Sequence, residues 1–326
     1  MKNTLPSFQV DRDTSPRFHR RDALRFGIGG AMALAFLGAG CSTTTTTPNR
    51  IAVRKVRSSA ADGIELAVYE SGNPRGRPVI FVHGFAQSSE SWARQMQSSE
   101  LGAELRLISF DLRGHGNSDK PLARDAYHDP VRWANDLRSV MRATGADKPC
   151  IVSWSYGGRV VNDYLATFGD AEVGSLNYVA ATSTAQRFGL GTSYALIGGM
   201  LSDDPAIEAK ATEDFLHACF ETQPSQADFE NMKRFNAQTP VAVRKLLAGR
   251  PADYDDALRK LKVPVLVTHG DKDRISAVAM SEYTVGLVKA SSLSIYSGAG
   301  HSTFFEQPAR FNSELLALTR SAGKTF

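Results

Sequence analysis

Ser155 has the strongest case in this sequence for a nucleophile. It stands in Cys150-Ile151-Val152-Ser153-Trp154-Ser155-Tyr156-Gly157-Gly158, an apolar run followed by a turn and two glycines that open a helical pattern. A serine hydroxyl attacks a carbonyl carbon only when it is exposed and has a base beside it. A sharp strand-to-helix turn gives that exposure at the cost of backbone strain, and the turn closes only if its neighbours are small. The base would be an imidazole, and seven histidines compete for the role: His19, His83, His115, His128, His217, His269 and His301. His83 and His115 sit in glycine-bearing turns, His128 and His217 in helical contexts, and His269 closes an apolar run beside Gly270; these read as structural. His301 lies in Ser297-Gly298-Ala299-Gly300-His301-Ser302, where flanking glycines let a loop carry an imidazole over other elements. Such a base needs a carboxylate that fixes its tautomer and stabilises its charged form. Asp271 and Asp273 both follow His269 and both qualify.

These residues must be held by elements that the hydrophobic pattern makes legible. Short Val/Ile/Leu-rich runs alternate with longer helical patterns, the signature of a mainly parallel sheet with helices on both faces. Eight strands are expected, at 51–57, 65–70, 78–83, 105–111, 150–154, 176–181, 263–269 and 292–296. The first two, separated by Asp62-Gly63, read as an antiparallel hairpin at the sheet edge. Helices are expected at 129–144, 156–168, 277–288 and 308–321, the last opening on Pro308, which is favoured where no N–H partner is needed. Residues 184–262 are too many for a simple crossover. Their helical patterns, at 204–219, 226–238 and 240–248, read as a cap inserted after strand six.

Taken together the motifs resemble those of the α/β-hydrolase fold superfamily, in its serine-hydrolase branch. Ser153-Trp154-Ser155-Tyr156-Gly157 resembles the family's nucleophile elbow, with Ser153 in place of the first glycine. The family's chain order of nucleophile, acid and histidine then implies Ser155, Asp273 and His301 as the triad. Asp273 is the member that the family's turn after strand seven selects over Asp271, and the run from His301 through Phe304-Phe305-Glu306-Gln307-Pro308 resembles its histidine loop. By the same resemblance the backbone N–H groups of Phe85, after His83-Gly84, and of Tyr156 form an oxyanion hole. Gly84, Ser153, Gly157 and Gly158 are its elbow and loop scaffold. Asp111-Leu112-Arg113-Gly114-His115-Gly116-Asn117-Ser118 resembles a scaffold segment shared by members of many activities. Related dehalogenases and epoxide hydrolases carry aspartate at the position of Ser155, so the resemblance implies acyl chemistry here. It implies a carboxylesterase acting on small ester or acyl substrates without a cofactor or metal. The surroundings of Ser155 also resemble the cofactor-free haloperoxidases, which use the same machinery for perhydrolysis. Carbon–carbon and amide hydrolases share it too, and a ligand-sensing protein on the same fold is the reading from another class. Phe85, Trp154 or Tyr156, and the cap residues Phe188, Leu190 and Phe215 are expected to line the pocket.

Residues 1–40 read as a signal peptide, with Arg20-Arg21 resembling a twin-arginine signal before an apolar run too short to span a bilayer. Leu37-Gly38-Ala39-Gly40-Cys41 resembles a lipobox, in which Cys41 would carry a membrane-anchoring lipid. Ordinary cleavage near Ala33-Leu34-Ala35 is the alternative. Residues 41–50, rich in threonine, suit a flexible tether to a domain at 51–326. The expected location is the periplasm or envelope of a bacterium. Six of the 38 basic residues and three of the 34 acidic ones precede residue 41. The remaining 32 and 31 nearly cancel, so the domain carries no basic excess for nucleic acid. Three cysteines make no disulfide framework, although a Cys150–Cys219 bridge stays open.

Overall fold

The structure, a computed structural model, describes residues 51–184 and 186–322. The expected leader, the tether and Cys41 lie outside the described residues.

Apolar runs become strands where the sequence places them: β1 Ala52–Arg57, β2 Glu65–Gly72, β3 Arg77–Val82, β4 Leu105–Phe110, β5 Cys150–Trp154, β6 Ser175–Val179, β7 Val265–Gly270 and β8 Ser291–Tyr296. They form one sheet in the order β1-β2-β4-β3-β5-β6-β7-β8. β1 and β2 pair antiparallel, as do β2 and β4, and every other pair is parallel. β5 and β6, at the centre, are buried at every residue, which only strands covered on both faces can be. β1 is the opposite case. Its exposed Arg54, Lys55 and Arg57 put charge on an edge strand and oppose pairing with other chains.

The covering helices are bounded by local chemistry. Pro130–Thr144 starts on the Asp129 side chain, which accepts from the Val131 N–H, and stops at Gly145 in the left-handed region. It packs beside Gly157–Phe168, while Val278–Leu287 and Pro308–Ser321 complete the layers. Three strands end before their expected bounds, β3 at Val82, β4 at Phe110 and β6 at Val179. β6 stops at Val179 because Ala180 turns to φ +44° and its N–H reaches across to Thr268. Just past β4, the Asp111 N–H still donates to Ala67 of β2 at 2.9 Å, and its carboxylate accepts the N–H groups of Ser89 and Asn117.

Between β6 and β7 the chain forms Pro205–Ala218, Gln226–Asn236, Val241–Leu247 and the shorter Asp255–Arg259. This segment is fastened at the carboxyl end of the sheet. Arg94 meets Asp228 at 3.5 Å and Arg234 pairs with Glu90, both from the stretch after β3. After β8, the Glu306 carboxylate accepts the N–H groups of Glu221 and Thr222 at 3.0 and 2.8 Å. Ligands of open α/β sheets bind at that same end.

Candidate active site

Ser155 follows β5 directly and takes φ +54°, a left-handed conformation that costs a non-glycine residue on the order of 1–3 kcal/mol. Its backbone groups are fully engaged. Its N–H donates to Val179 at 3.0 Å, and its carbonyl accepts from Gly158 and Thr182, each at 2.9 Å. The turn closes because its neighbours lack side chains. A Cβ on Gly157 would stand 2.7 Å from the Val82 carbonyl oxygen, and one on Gly158 would stand 2.8 Å from the Ala181 Cβ. Ser153 is buried between Val82 and Tyr178 in the ladder, where a small side chain fits. The half-buried Ser155 side chain is thereby lifted beyond the sheet's carboxyl edge.

His301 arrives from the other end of the chain. Its carbonyl accepts the Trp154 indole N–H at 2.9 Å, and its ring lies 5.5 Å from the Trp154 ring. The residue beside the candidate nucleophile thus anchors the candidate base. His301 Nδ1 meets Asp273 Oδ2 at 2.7 Å, so Nδ1 carries the proton and Nε2 the lone pair. Nε2 is buried and, among the described residues, makes no hydrogen bond. Asp273 is fully buried, which alone would push its carboxyl pKa up. Hydrogen bonding and electrostatic attraction from the His301 and His269 rings outweigh burial and hold it well below the usual range. Its Oδ1 accepts the N–H groups of Ile275 and Ser276 at 2.7 and 2.9 Å. Asp271 faces outward instead and accepts from Gly298 N–H at 2.7 Å.

The loop after β3 presses against the elbow. A Cβ on Gly84 would lie 3.2 Å from the Ser155 Cβ, so the 84–85 peptide runs alongside the serine. Neither the Phe85 nor the Tyr156 backbone N–H donates to a protein acceptor among the described residues, which leaves both donors available. Two buried histidines set this loop. His83 Nδ1–H donates to the Gly84 carbonyl at 2.9 Å while Nε2 accepts from Leu112 N–H. His115 Nδ1–H donates to the Arg113 carbonyl while Nε2 accepts from Ala86 N–H at 3.3 Å.

Each imidazole spends its lone pair on a backbone donor, and protonation would cost that bond. Burial pushes His83 down to about 4, and burial together with the neighbouring His83 pushes His115 down to about 3. Below pH 6.5 the unfolded chain therefore binds protons that the folded one refuses. Stability is full at neutral pH and falls as pH drops towards 4, by about 1.4 kcal/mol per pH unit for each histidine. The melting temperature of wild type should fall more steeply from pH 7 to 5 than that of His115→Gln. Equal slopes would show that His115 carries no such share.

A family model described as alpha/beta hydrolase fold matches residues 77–308. The chain belongs to the α/β hydrolase family. The crystal structure of esterase RhEst1 from Rhodococcus sp. ECU1013 is 34% identical with a TM-score of 0.77, over 83% of this chain and 99% of that one. The bifunctional esterase/perhydrolase DCH of Acinetobacter calcoaceticus is 27% identical over 80% of this chain and 98% of its own length. A non-heme haloperoxidase of Rhodococcus erythropolis is 26% identical, over 81% and 98%.

In this α/β hydrolase the residues expected to line the pocket divide between surface and core. Phe188 is 46% exposed and packs on Tyr283, and Leu190 bridges to Ser276 at the surface. The short helical turn Arg187–Gly189 packs against the helix Val278–Leu287. Phe215 is buried in the core cluster. A small cavity of about 20 Å³ is walled by Gln87, Trp154, Leu216, Phe220, Phe235 and Ser302, with neither Ser155 nor His301 in its lining. A larger concavity of about 550 Å³ lies around Pro264, Ala290 and Leu318, at the opposite ends of β7 and β8 from this chemistry. Cys150 and Cys219 are free, buried thiols, which closes the question of a bridge. Arg113 in the shared scaffold segment is fully buried and donates to Asp136 at 2.6 Å and Asp62 at 2.9 Å. Missed by sequence reasoning was the contact of His269 with Asp273, at 3.1 Å. No spacing rule signals it, because the turn between them decides where the ring points.

Proposed function

We propose that the protein is a serine esterase that hydrolyses carboxylic esters through an acyl-enzyme on Ser155. The observation that carries this reading is the His301–Asp273 pair, bonded at 2.7 Å and leaving a buried, unpartnered Nε2 beside the elbow. As Ser155 Oγ attacks the ester carbonyl, His301 Nε2 takes its proton, and Asp273 stabilises the imidazolium formed. The negative charge that develops on the carbonyl oxygen is met by the Phe85 and Tyr156 N–H groups, donors that need no reorganisation. His301 returns the proton to the departing alkoxide. It then takes one from water, which attacks the acyl carbon, and as that second tetrahedral species collapses His301 returns the proton to Ser155 Oγ, freeing the acid and the serine. The esterase relatives support the same assignment. The esterase/perhydrolase relative favours a second reading, in which hydrogen peroxide replaces water in the last step and a peracid leaves.

The test is hydrolysis of p-nitrophenyl esters from acetate to palmitate by residues 50–326, with and without hydrogen peroxide. The expected result is hydrolysis of one or more of these esters, and the chain-length optimum sizes the acyl site. Peroxide that accelerates p-nitrophenol release and yields peracid would move the assignment to perhydrolysis. No release from any ester, with no labelling by a fluorophosphonate, would overturn the acyl-enzyme reading.

A further inference from the structure

We propose that His269 is a positioning residue for this reaction, holding Asp273 through its Nε2–H so that Asp273 can hold His301. This rests on the esterase reading above and adds a member to its machinery.

His269 is fully buried at the end of β7. Its Nε2 lies 3.0 Å from the Ser276 carbonyl oxygen and 3.1 Å from Asp273 Oδ2. Both are acceptors, so Nε2 carries the proton. Nδ1 then accepts, and the Ser281 hydroxyl 2.6 Å away donates to it. Ser281 therefore fixes the tautomer of His269 in the way that Asp273 fixes that of His301. The ring is a neutral donor shared between the carboxylate and the backbone of the loop that carries it.

The Asp273 carboxylate accepts two backbone N–H groups on Oδ1 and the His301 Nδ1–H on Oδ2, and His269 Nε2 makes a further 3.1 Å contact with Oδ2. Other ionisable groups lie nearby, but none bonds to it among the described residues. Cys219 is a buried thiol whose pKa burial pushes up, Arg274 donates to the Phe220 carbonyl, and Glu306 accepts from Gly300, Glu221 and Thr222. Removing the His269 donor has two consequences. Oδ2 loses one of its two anchors, so the carboxylate can turn away from His301. It also becomes more basic, which stabilises the protonated form of the Asp273–His301 pair and displaces the acidic limb of the rate profile. A residue that only filled space would do the first and not the second.

The experiment compares wild type with His269→Leu, His269→Gln and Ser281→Ala, with kcat and KM measured against pH and the melting temperature as a check on folding. His269→Gln can place an amide N–H where Nε2 stood. His269→Leu should lower kcat about tenfold or more, the scale of losing a supporting hydrogen bond behind an active residue, with KM within about twofold. The acidic limb of its kcat/KM profile should move to higher pH. His269→Gln should recover most of the kcat and the wild-type limb, and Ser281→Ala should fall between. Wild-type kcat and limb in His269→Leu would overturn the proposal, as would equal impairment in both His269 variants with an unmoved limb. If His269→Leu does not fold, Ser281→Ala decides alone: a wild-type kcat and limb in it counts against the proposal, and a lowered kcat with a raised limb supports it. A wild type that neither hydrolyses esters nor takes a fluorophosphonate label overturns the esterase reading itself, a separate failure.

Discussion

Ser155→Ala is expected to lower ester hydrolysis on the order of a millionfold and to abolish labelling by a fluorophosphonate, because no covalent intermediate can form without the hydroxyl. The remaining turnover should be that of the bound ester in the field of the Phe85 and Tyr156 donors. A paired substitution makes the result sharper. Ser155 sits at φ +54°, a conformation that glycine adopts freely and that alanine, like serine, does not. Ser155→Gly should therefore be as inactive as Ser155→Ala but more stable than wild type by about 1 kcal/mol, a rise of about 2–4 °C in melting temperature for a domain of this size. That outcome would mean the elbow's strain is maintained for the serine's position alone. A Ser155→Ala enzyme with near-wild-type turnover, after contaminating activity is excluded, would remove Ser155 from the mechanism.

Gly270→Ala should be among the most damaging single methyls at the described glycines. Its Cβ would stand 2.1 Å from the Gly300 carbonyl oxygen and 2.2 Å from that of Ala299. Both are backbone atoms, so no side chain can swing aside. Gly270 separates His269 from the turn of Asp273, and Ala299 and Gly300 lead directly into His301. The Lys272 N–H also donates to Ala299 at 2.9 Å, tying the two loops at this point. To admit the methyl, the loops must part, and the direction of parting lengthens the Asp273–His301 bond. Overpacking of this kind costs about 1–3 kcal/mol of stability, and a displacement near 1 Å at a reacting group costs on the order of a hundredfold in rate. The expected kcat/KM is therefore at least about a hundredfold below wild type, with a lowered melting temperature. Gly286→Ala is the control: nothing lies within 4 Å of its Cβ, and it sits in the helix Val278–Leu287. There the methyl should leave activity unchanged and raise stability by up to about 1 kcal/mol. Wild-type rates in Gly270→Ala would show that the two loops are not rigidly coupled.

What the sequence determined by itself was whatever a short stretch of chain can encode. The eight apolar runs are strands because Val, Ile and Leu in continuous stretches suit a pleated surface buried on both faces. The helix start at Pro308 was readable because proline geometry acts within one turn. Ser155 and His301 were legible from their glycine-flanked turns. Asp273 was separated from Asp271 only by resemblance to a family; burial of one beside His301 and exposure of the other beside Gly298 is a tertiary fact.

Tertiary structure alone decided everything that depends on two distant segments meeting. The contact of His269 with Asp273 depends on how one turn folds back beneath the strand end that carries it. The closeness of Gly270 to Gly300 depends on the register of β7 against β8, where Gly270 pairs with Tyr296. The outward turn of Phe188 and Leu190, read as pocket residues from their apolar character, depends on the path of the chain leaving β6. Hydrophobicity records that a residue prefers to leave water, and it does not record which neighbour will cover it. Periodicity and turn chemistry are local, so they set the elements. The site lies between elements, and its distances are set by strand register and by the close approach of one backbone to another.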